Sequence, residues 1–164
     1  PYAVLERLAN SGRIRKGDTL LDYGCGKGRV DCYLSYQTRC HSIGVEYDPR
    51  IYETAAENQK TAVSGGRTEF VLADAGEFPV PDAVNRAYFF NPFSVELLQK
   101  VIRQILDSWY EVPREIRLFF YYPSDEYLTY LMTVDELMFA DELDCRELFD
   151  GNDARERIVE FVLE

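Results

Sequence analysis

Three glycines at every second position follow an acidic residue near the start of the chain, in the run Asp22-Tyr23-Gly24-Cys25-Gly26-Lys27-Gly28. The apolar residues Leu20 and Leu21 precede the acid, which is typical of a buried strand that turns sharply into a helix. Glycine leaves a bare backbone that a ligand can approach closely. Main-chain N–H groups and the helix N-terminus are expected to face that ligand. The sequence therefore predicts a binding loop at residues 22–28.

Two further acidic residues are predicted to lie at the same end of a sheet. Glu46 ends a second apolar segment, where its carboxylate can accept hydrogen bonds from two ribose hydroxyl groups. Asp74 ends a third apolar segment, where its carboxylate can accept a hydrogen bond from the exocyclic amine of adenine. Together these residues favour a ligand that contains adenosine over a bare phosphate.

The spacing of the glycines distinguishes between two cofactors that contain adenosine. A dinucleotide fingerprint has the order G-x-G-x-x-G, with glycine or alanine at the last position for close packing of helix and strand. That position is occupied here by Arg29, so the spacing does not fit NAD. Glycine at every second position after an acid is the pattern of S-adenosylmethionine sites.

On these residues the chain resembles the class I S-adenosylmethionine-dependent methyltransferases over essentially its whole length. The run 22–28 is similar to the first motif of that family, and Gly44-Val45-Glu46-Tyr47-Asp48 is similar to its acidic second motif. Ala73-Asp74-Ala75 is similar to the third motif, and Asn91-Pro92-Phe93 stands where the fourth belongs. Segments 89–94, 121–127 and 151–157 also resemble an uncharacterised bacterial branch of the family, which brings no substrate with it.

The resemblance implies an α/β fold with a Rossmann-like, seven-stranded, mostly parallel sheet, helices on both faces and an antiparallel last strand. The order of the predicted elements agrees with this, because short apolar strands alternate with helices as in parallel sheets. We predict helices at 3–9, 30–36, 48–63, 94–109 and 124–132. We predict strands at 19–23, 42–47, 68–73, 87–90, 116–122, within 139–148 and at 157–163. The length of 164 residues predicts one domain over residues 1–164.

The resemblance also implies cofactor-binding roles. The three glycines would pass beneath the methionine portion of S-adenosylmethionine, and Asp22 would order their loop. Glu46 would hold the ribose, and Tyr47 would pack near the adenine. Asp74 would accept from the adenine amine, and the Ala75 N–H would reach a ring nitrogen. The predicted cofactor-binding residues are Asp22, Gly24, Cys25, Gly26, Gly28, Glu46, Tyr47, Asp74, Ala75 and Asn91.

Asn91 is the predicted catalytic residue. Amine methyltransferases aim the oxygens of an Asn/Asp-Pro-Pro-Tyr/Phe motif at the substrate nitrogen, and this chain lacks the second proline. That departure argues against methylation of an amide or of adenine N6. The alternative is a strand-end turn that leads into a helix capped by Ser94. Tyr121 and Tyr122 end the fifth strand near the expected substrate mouth, and core packing is their alternative role.

Composition and charge indicate the cellular location of the protein and the kinds of partner that it can bind. The sequence has no apolar run long enough to span a membrane, and its four cysteines and single histidine lack the paired spacing of a zinc site. We therefore expect a cytoplasmic protein with no metal. The net charge of −11 argues against tightly bound nucleic acid, since such proteins neutralise phosphates with a basic face.

Two classes of function stay open at this point. The first is a methyltransferase that acts on a small molecule or a protein side chain. The second is a non-catalytic S-adenosylmethionine-binding module or subunit that supports a partner. A nicotinamide dehydrogenase is third, and Arg29 disfavours it. The sequence predicts neither the methyl acceptor nor the oligomeric state.

Overall fold

The structure is a computed structural model, and it describes residues 1–90 and 93–164. The helices of these residues are α1 (Tyr2–Asn10), α2 (Arg29–Thr38), α3 (Pro49–Thr61), α4 (Val95–Glu111) and α5 (Asp125–Leu131). The strands are β1 (Thr19–Tyr23), β2 (His41–Glu46), β3 (Thr68–Leu72), β4 (Arg86–Phe89), β5 (Ile116–Tyr121), β6 (Met138–Asp144) and β7 (Arg157–Leu163). Short 3₁₀ turns lie at Gly65–Arg67 and Arg146–Leu148.

The strands form a seven-stranded sheet in the order β3-β2-β1-β4-β5-β7-β6. The pairs β1–β2, β2–β3 and β4–β5 are parallel, whereas β7 pairs antiparallel with both β5 and β6. The predicted Rossmann-like sheet with an antiparallel last strand is therefore confirmed. The chain also divides into two compact units, residues 1–75 and 76–164, which we describe separately. One domain over residues 1–164 stays a prediction.

In the first unit the three parallel strands bring their carboxyl ends together. Asp22 of β1 is the register partner of Gly44 on β2, and Glu46 at the end of β2 is the partner of Leu72 at the end of β3. Asp48 caps α3, because its Oδ1 accepts a hydrogen bond of 2.9 Å from the Arg50 N–H. The loops that follow β1, β2 and β3 therefore all start at the carboxyl-terminal end of the sheet.

In the second unit α4 follows the predicted pattern. Ser94 caps the helix, since its Oγ accepts a hydrogen bond of 3.2 Å from the Leu97 N–H. Leu98, Ile102 and Ile105 are buried at spacings of four and three residues, which places them on one apolar face of the helix. The edge strand β6 is the exception to burial in this unit, because nearly all of its residues are exposed.

The main difference from the predicted elements lies in α2, which runs from Arg29 to Thr38 and is longer at both ends than expected. Its boundaries are set by left-handed backbone at Gly28 (φ 80°) and Arg39 (φ 63°), and a residue in that conformation cannot continue a helix. Within the described residues, no helix has the length and apolar character needed to cross a membrane.

Candidate cofactor site

The three loop glycines all adopt left-handed backbone, with φ of 67° at Gly24, 58° at Gly26 and 80° at Gly28. They differ in their surroundings. A Cβ added at Gly28 would lie 2.5 Å from Cζ of Phe70, whereas a Cβ at Gly26 would have no atom within 4 Å. Gly28 is therefore required for packing, and Gly26 leaves open space where a ligand can approach the backbone.

Most N–H groups of the loop donate within the protein and do not face a ligand as expected. The N–H groups of Gly24 and Cys25 both donate to the Val45 carbonyl, at 3.0 Å each, and the Gly28 N–H donates to the Cys25 carbonyl at 3.0 Å. These acceptors are a carbonyl of β2 and a carbonyl of the loop itself. Gly28 has no side chain to cap α2, so the helix N-terminus still lies open beside the loop.

Glu46 connects the glycine loop to the start of α3. Its Oε1 accepts a hydrogen bond from the Gly26 N–H and its Oε2 accepts one from the Asp48 N–H, both at 2.9 Å. Each carboxylate oxygen has a second lone pair that can accept from a ligand hydroxyl. The half-buried carboxylate is thus held in one orientation with capacity for the two hydroxyls of a ribose.

The neighbouring strand ends carry the residues predicted to face the adenine. Tyr47 follows Glu46 and its side chain is 75% exposed. The Ala73 N–H donates to the Glu46 carbonyl at 3.0 Å, which ties the loop after β3 to the end of β2. Asp74 is exposed and Ala75 is buried. The predicted ribose and adenine residues therefore lie on adjacent strand ends, and their contacts with a cofactor stay predictions.

Cys25 lies in the loop, but its side chain faces the core. The thiol is buried and packs in an apolar cluster with Ala55 and Phe70. Burial, and after it the carboxylates of Asp31, Asp22 and Glu46, raise the pKa of this thiol, so it stays protonated at neutral pH. This environment supports a role for Cys25 as a small packing residue and not as a nucleophile.

The sequence reasoning missed Asp31, a fully buried acid in the first turn of α2. Its carboxyl lies within hydrogen-bond distance of the carboxyl of Asp22, which is also buried. Burial raises the pKa of Asp22 to about 7; the neighbouring Asp31 carboxyl opposes this rise and the charge of Glu46 adds to it. Burial also raises the pKa of Asp31, and the charge of Asp22 raises it further. A signal was present, because Asp31 shares the helical 3–4 spacing of the buried residues Leu34 and Ser35.

The predicted catalytic Asn91 and the following Pro92 lie outside the described residues. The next residue, Phe93, is held by Tyr127, a contact that the sequence reasoning missed. The Tyr127 hydroxyl donates to the Phe93 carbonyl at 2.6 Å and accepts from the Phe93 N–H at 3.0 Å. Tyr127 therefore fixes the backbone directly after the Asn91-Pro92 pair.

The two tyrosines at the end of β5 are paired with acids of the loop before β7. The Tyr121 hydroxyl donates to Glu156 at 2.6 Å, and the Tyr122 hydroxyl donates to Asp153. The Tyr122 N–H also donates to the Arg157 carbonyl at 3.0 Å. These bonds fasten the loop to the strand end, and both hydroxyl protons are donated within the protein.

The amino-acid sequence matches a known protein family. Residues 20–115 match the model of the family described as "Methyltransferase domain". The matched segment contains the glycine loop, Glu46, Tyr47 and the 73–75 segment.

Individual relatives agree with the family match. The chain is 28% identical over 115 residues to 27-O-demethylrifamycin SV methyltransferase of Amycolatopsis mediterranei. The aligned region covers 70% of this chain and 39% of that protein. It is 32% identical over 93 residues, 56% of this chain and 32% of the relative, to "Probable ribosomal RNA small subunit methyltransferase A" of Methanopyrus kandleri. The chain thus spans well under half the length of these relatives.

A solved structure matches the fold over nearly the whole chain. The RNA methyltransferase of Salinibacter ruber, solved in complex with S-adenosyl-L-homocysteine, superposes with a TM-score of 0.67 at 18% identity. The superposition covers 99% of this chain and 92% of that one.

Proposed function

Because the chain belongs to the methyltransferase-domain family, we propose that it transfers the methyl group of S-adenosylmethionine to a small-molecule or protein acceptor. S-adenosylmethionine is the cofactor of this family. The observation that carries the proposal is the Glu46 carboxylate, held by the Gly26 and Asp48 N–H groups beside the open backbone of the glycine loop. This arrangement supports binding of a ribose next to a methionine portion.

Methyl transfer from a sulfonium is an in-line displacement in which the leaving thioether needs no proton. Catalysis can then come from holding the acceptor and the methyl group in line, with effective molarities up to about 10⁵–10⁸ M for well-oriented pairs. Such chemistry does not require a histidine-centred acid–base pair. We keep Asn91 as the proposed catalytic residue, with the proposed role of orienting the acceptor through its side-chain or backbone oxygen.

The proposed acceptor class follows from charge. Residues 76–164 contain nineteen acidic and eight basic side chains, and residues 1–75 contain ten of each. An acidic surface repels nucleic-acid phosphates, so we favour a small molecule or a protein segment as acceptor. Two of the relatives are named for RNA methylation, and RNA is therefore included in the test as an outcome that would replace this choice.

The test joins cofactor binding to turnover. Calorimetry should show S-adenosylhomocysteine binding at micromolar or tighter Kd, and Glu46→Ala should weaken it by about 100-fold or more, because hydrogen bonds to a charged group contribute about 1.5–3 kcal/mol each. Glu53→Ala, an exposed acid on α3, is the matched control and should bind as the wild type does. Radiolabelled methyl transfer to metabolite, protein and RNA fractions then identifies the acceptor class. Absence of binding by the wild-type protein would refute the proposal.

A second candidate is a non-catalytic S-adenosylmethionine-binding subunit, and the edge strand β6 favours it. This strand combines exposed acids with large apolar side chains, since Met138 is 57% exposed and Phe139 is 54% exposed. An edge of this kind can pair with a partner that supplies basic residues. This candidate predicts normal cofactor binding without methyl transfer to any fraction, and copurification with a basic protein that Phe139→Lys releases.

A further inference from the structure

Two buried aspartates bracket the glycine loop. Asp22 lies in β1, at the start of the loop, and Asp31 lies three residues after Gly28, in the first turn of α2. Asp22 is 3% exposed and Asp31 is fully buried. In the described part of the chain, no N–H or O–H group donates to Oδ2 of Asp22 or to either carboxyl oxygen of Asp31.

Gly44 provides the space for the Asp31 carboxyl. It is the register partner of Asp22 on the neighbouring strand β2. A Cβ at Gly44 would lie 2.9 Å from Oδ2 of Asp31 and 2.8 Å from Cβ of Cys25, so a larger residue would displace them. The packing around Gly44 therefore places the Asp31 carboxyl beside the end of β1.

A hydrogen bond between two carboxyl groups requires a proton, because an ionised carboxylate only accepts. The ionisable groups that face the pair supply no positive charge: Glu46 adds negative charge beside Asp22, and Cys25 and Cys32 are thiols that burial keeps protonated. Two ionised carboxylates in contact inside the protein repel each other without compensation. One proton on the pair removes this repulsion and supplies the missing donor.

We propose that Asp22 and Asp31 share one proton, and that this hydrogen bond makes Asp31 a positioning residue that acts through Asp22 to hold the cofactor loop in shape. The inference rests on the proposed function only in taking the glycine loop as the S-adenosylmethionine site. Loss of the proton would place two negative charges at the two ends of the loop and push them apart. Cofactor affinity is then expected to fall as pH rises.

The test measures S-adenosylhomocysteine binding by calorimetry between about pH 6 and about pH 9. We expect the wild-type association constant to fall with pH, by at most about tenfold per pH unit for one proton. Asp31→Asn should keep high affinity throughout, because its amide donates to Asp22 without a titrating proton. Asp31→Ala should bind weakly at every pH. Asp107→Asn, the same change at an exposed site on α4, should follow the wild type.

Infrared difference spectroscopy observes the proton itself. We expect the C=O stretching band of a protonated carboxyl in the wild type at neutral pH, and no such band in Asp31→Asn. Absence of the band from the wild type, or a wild-type affinity that is constant or rises with pH, would overturn the proposal. Failure of the wild type to bind S-adenosylhomocysteine would instead refute the proposed function, and the infrared band would still decide whether the proton is shared.

Discussion

The polar residues at the strand ends of residues 1–75 are arranged differently from those of residues 76–164. In the first unit, backbone groups fix Glu46, and the surroundings of Tyr47 and Gly26 are accessible. Glu46 is held by two N–H groups, Tyr47 is 75% exposed, and the space above Gly26 is open. This is the arrangement expected of a site that is formed before its ligand arrives.

In the second unit the tyrosine hydroxyls near the strand ends form hydrogen bonds within the protein. Tyr121 donates to Glu156, and Tyr127 is bonded twice to the backbone of Phe93. These side chains hold loops in place, and their O–H groups donate within the protein. The predicted cofactor residues of the first unit thus follow from short sequence motifs, whereas the hydrogen bonds of the second unit join residues that are distant in the sequence.

The largest expected effect tests the buried acids of the first unit through the pH dependence of stability. The pKa of Asp22 is raised to about 7, so the folded state binds more protons than the unfolded state between about pH 4 and about pH 7. The free energy of unfolding should therefore fall as pH rises through this window, by roughly 1 kcal/mol per pH unit. Urea unfolding of wild type and Asp31→Asn at several pH values measures it.

The Asp31→Asn variant tests the direction of this pH dependence. Asp31→Asn removes one titrating group and gives Asp22 a permanent donor, so its advantage over the wild type should grow with pH. Asp107→Asn should run parallel to the wild type. A stability difference between Asp31→Asn and the wild type that is the same at all pH values would show that the pair does not share a proton.

The next effect concerns packing beneath the loop. Gly28→Ala combines left-handed backbone strain with a Cβ 2.5 Å from the Phe70 ring, and we expect it to lower the free energy of unfolding by about 3 kcal/mol. Gly12→Ala has a similar φ, 79°, with no atom within 4 Å of its Cβ, and should lose only about 1 kcal/mol. Equal losses in urea unfolding would mean that Phe70 moves aside and that the close approach is not needed.

The glycine loop shows which parts of the site could be predicted from the sequence. The motif predicted the loop, its strands and the place of Glu46, because glycine spacing and strand-end acids are local signals. It could not show that Gly28 packs on Phe70 or that Asp31 reaches Asp22, since those contacts join residues on different elements. The pairing of Tyr127 with Phe93 was hidden for the same reason, as 34 residues separate the partners.

A smaller effect is expected in the second unit from Tyr127→Phe. The change removes both hydrogen bonds to Phe93 in a buried site, and we expect a loss of about 2 kcal/mol of unfolding free energy. S-adenosylhomocysteine affinity should stay within about twofold, while methyl transfer slows by about tenfold or more because the segment after Asn91 shifts.

Tyr130→Phe is the matched control on the same helix, because burial and nearby charges, and no hydrogen bond with the described residues, act on the Tyr130 hydroxyl. It should leave stability and transfer unchanged. A large loss of S-adenosylhomocysteine affinity in Tyr127→Phe would contradict the prediction, since it would mean that the two hydrogen bonds to Phe93 support cofactor binding as well as methyl transfer.

The smallest expected loss of stability comes from alanine at two loop glycines, one in each unit. Gly26 and Gly151 both have positive φ, 58° and 85°, and neither would place a Cβ within 4 Å of another atom. Alanine at either position should therefore lower the unfolding free energy by about 1 kcal/mol, through backbone strain alone. Only Gly26→Ala should weaken S-adenosylhomocysteine binding, because its methyl group would occupy the space left open for the methionine portion. Equal binding by the two variants in calorimetry would mean that the cofactor does not approach the loop at Gly26, and the open backbone there would need another explanation.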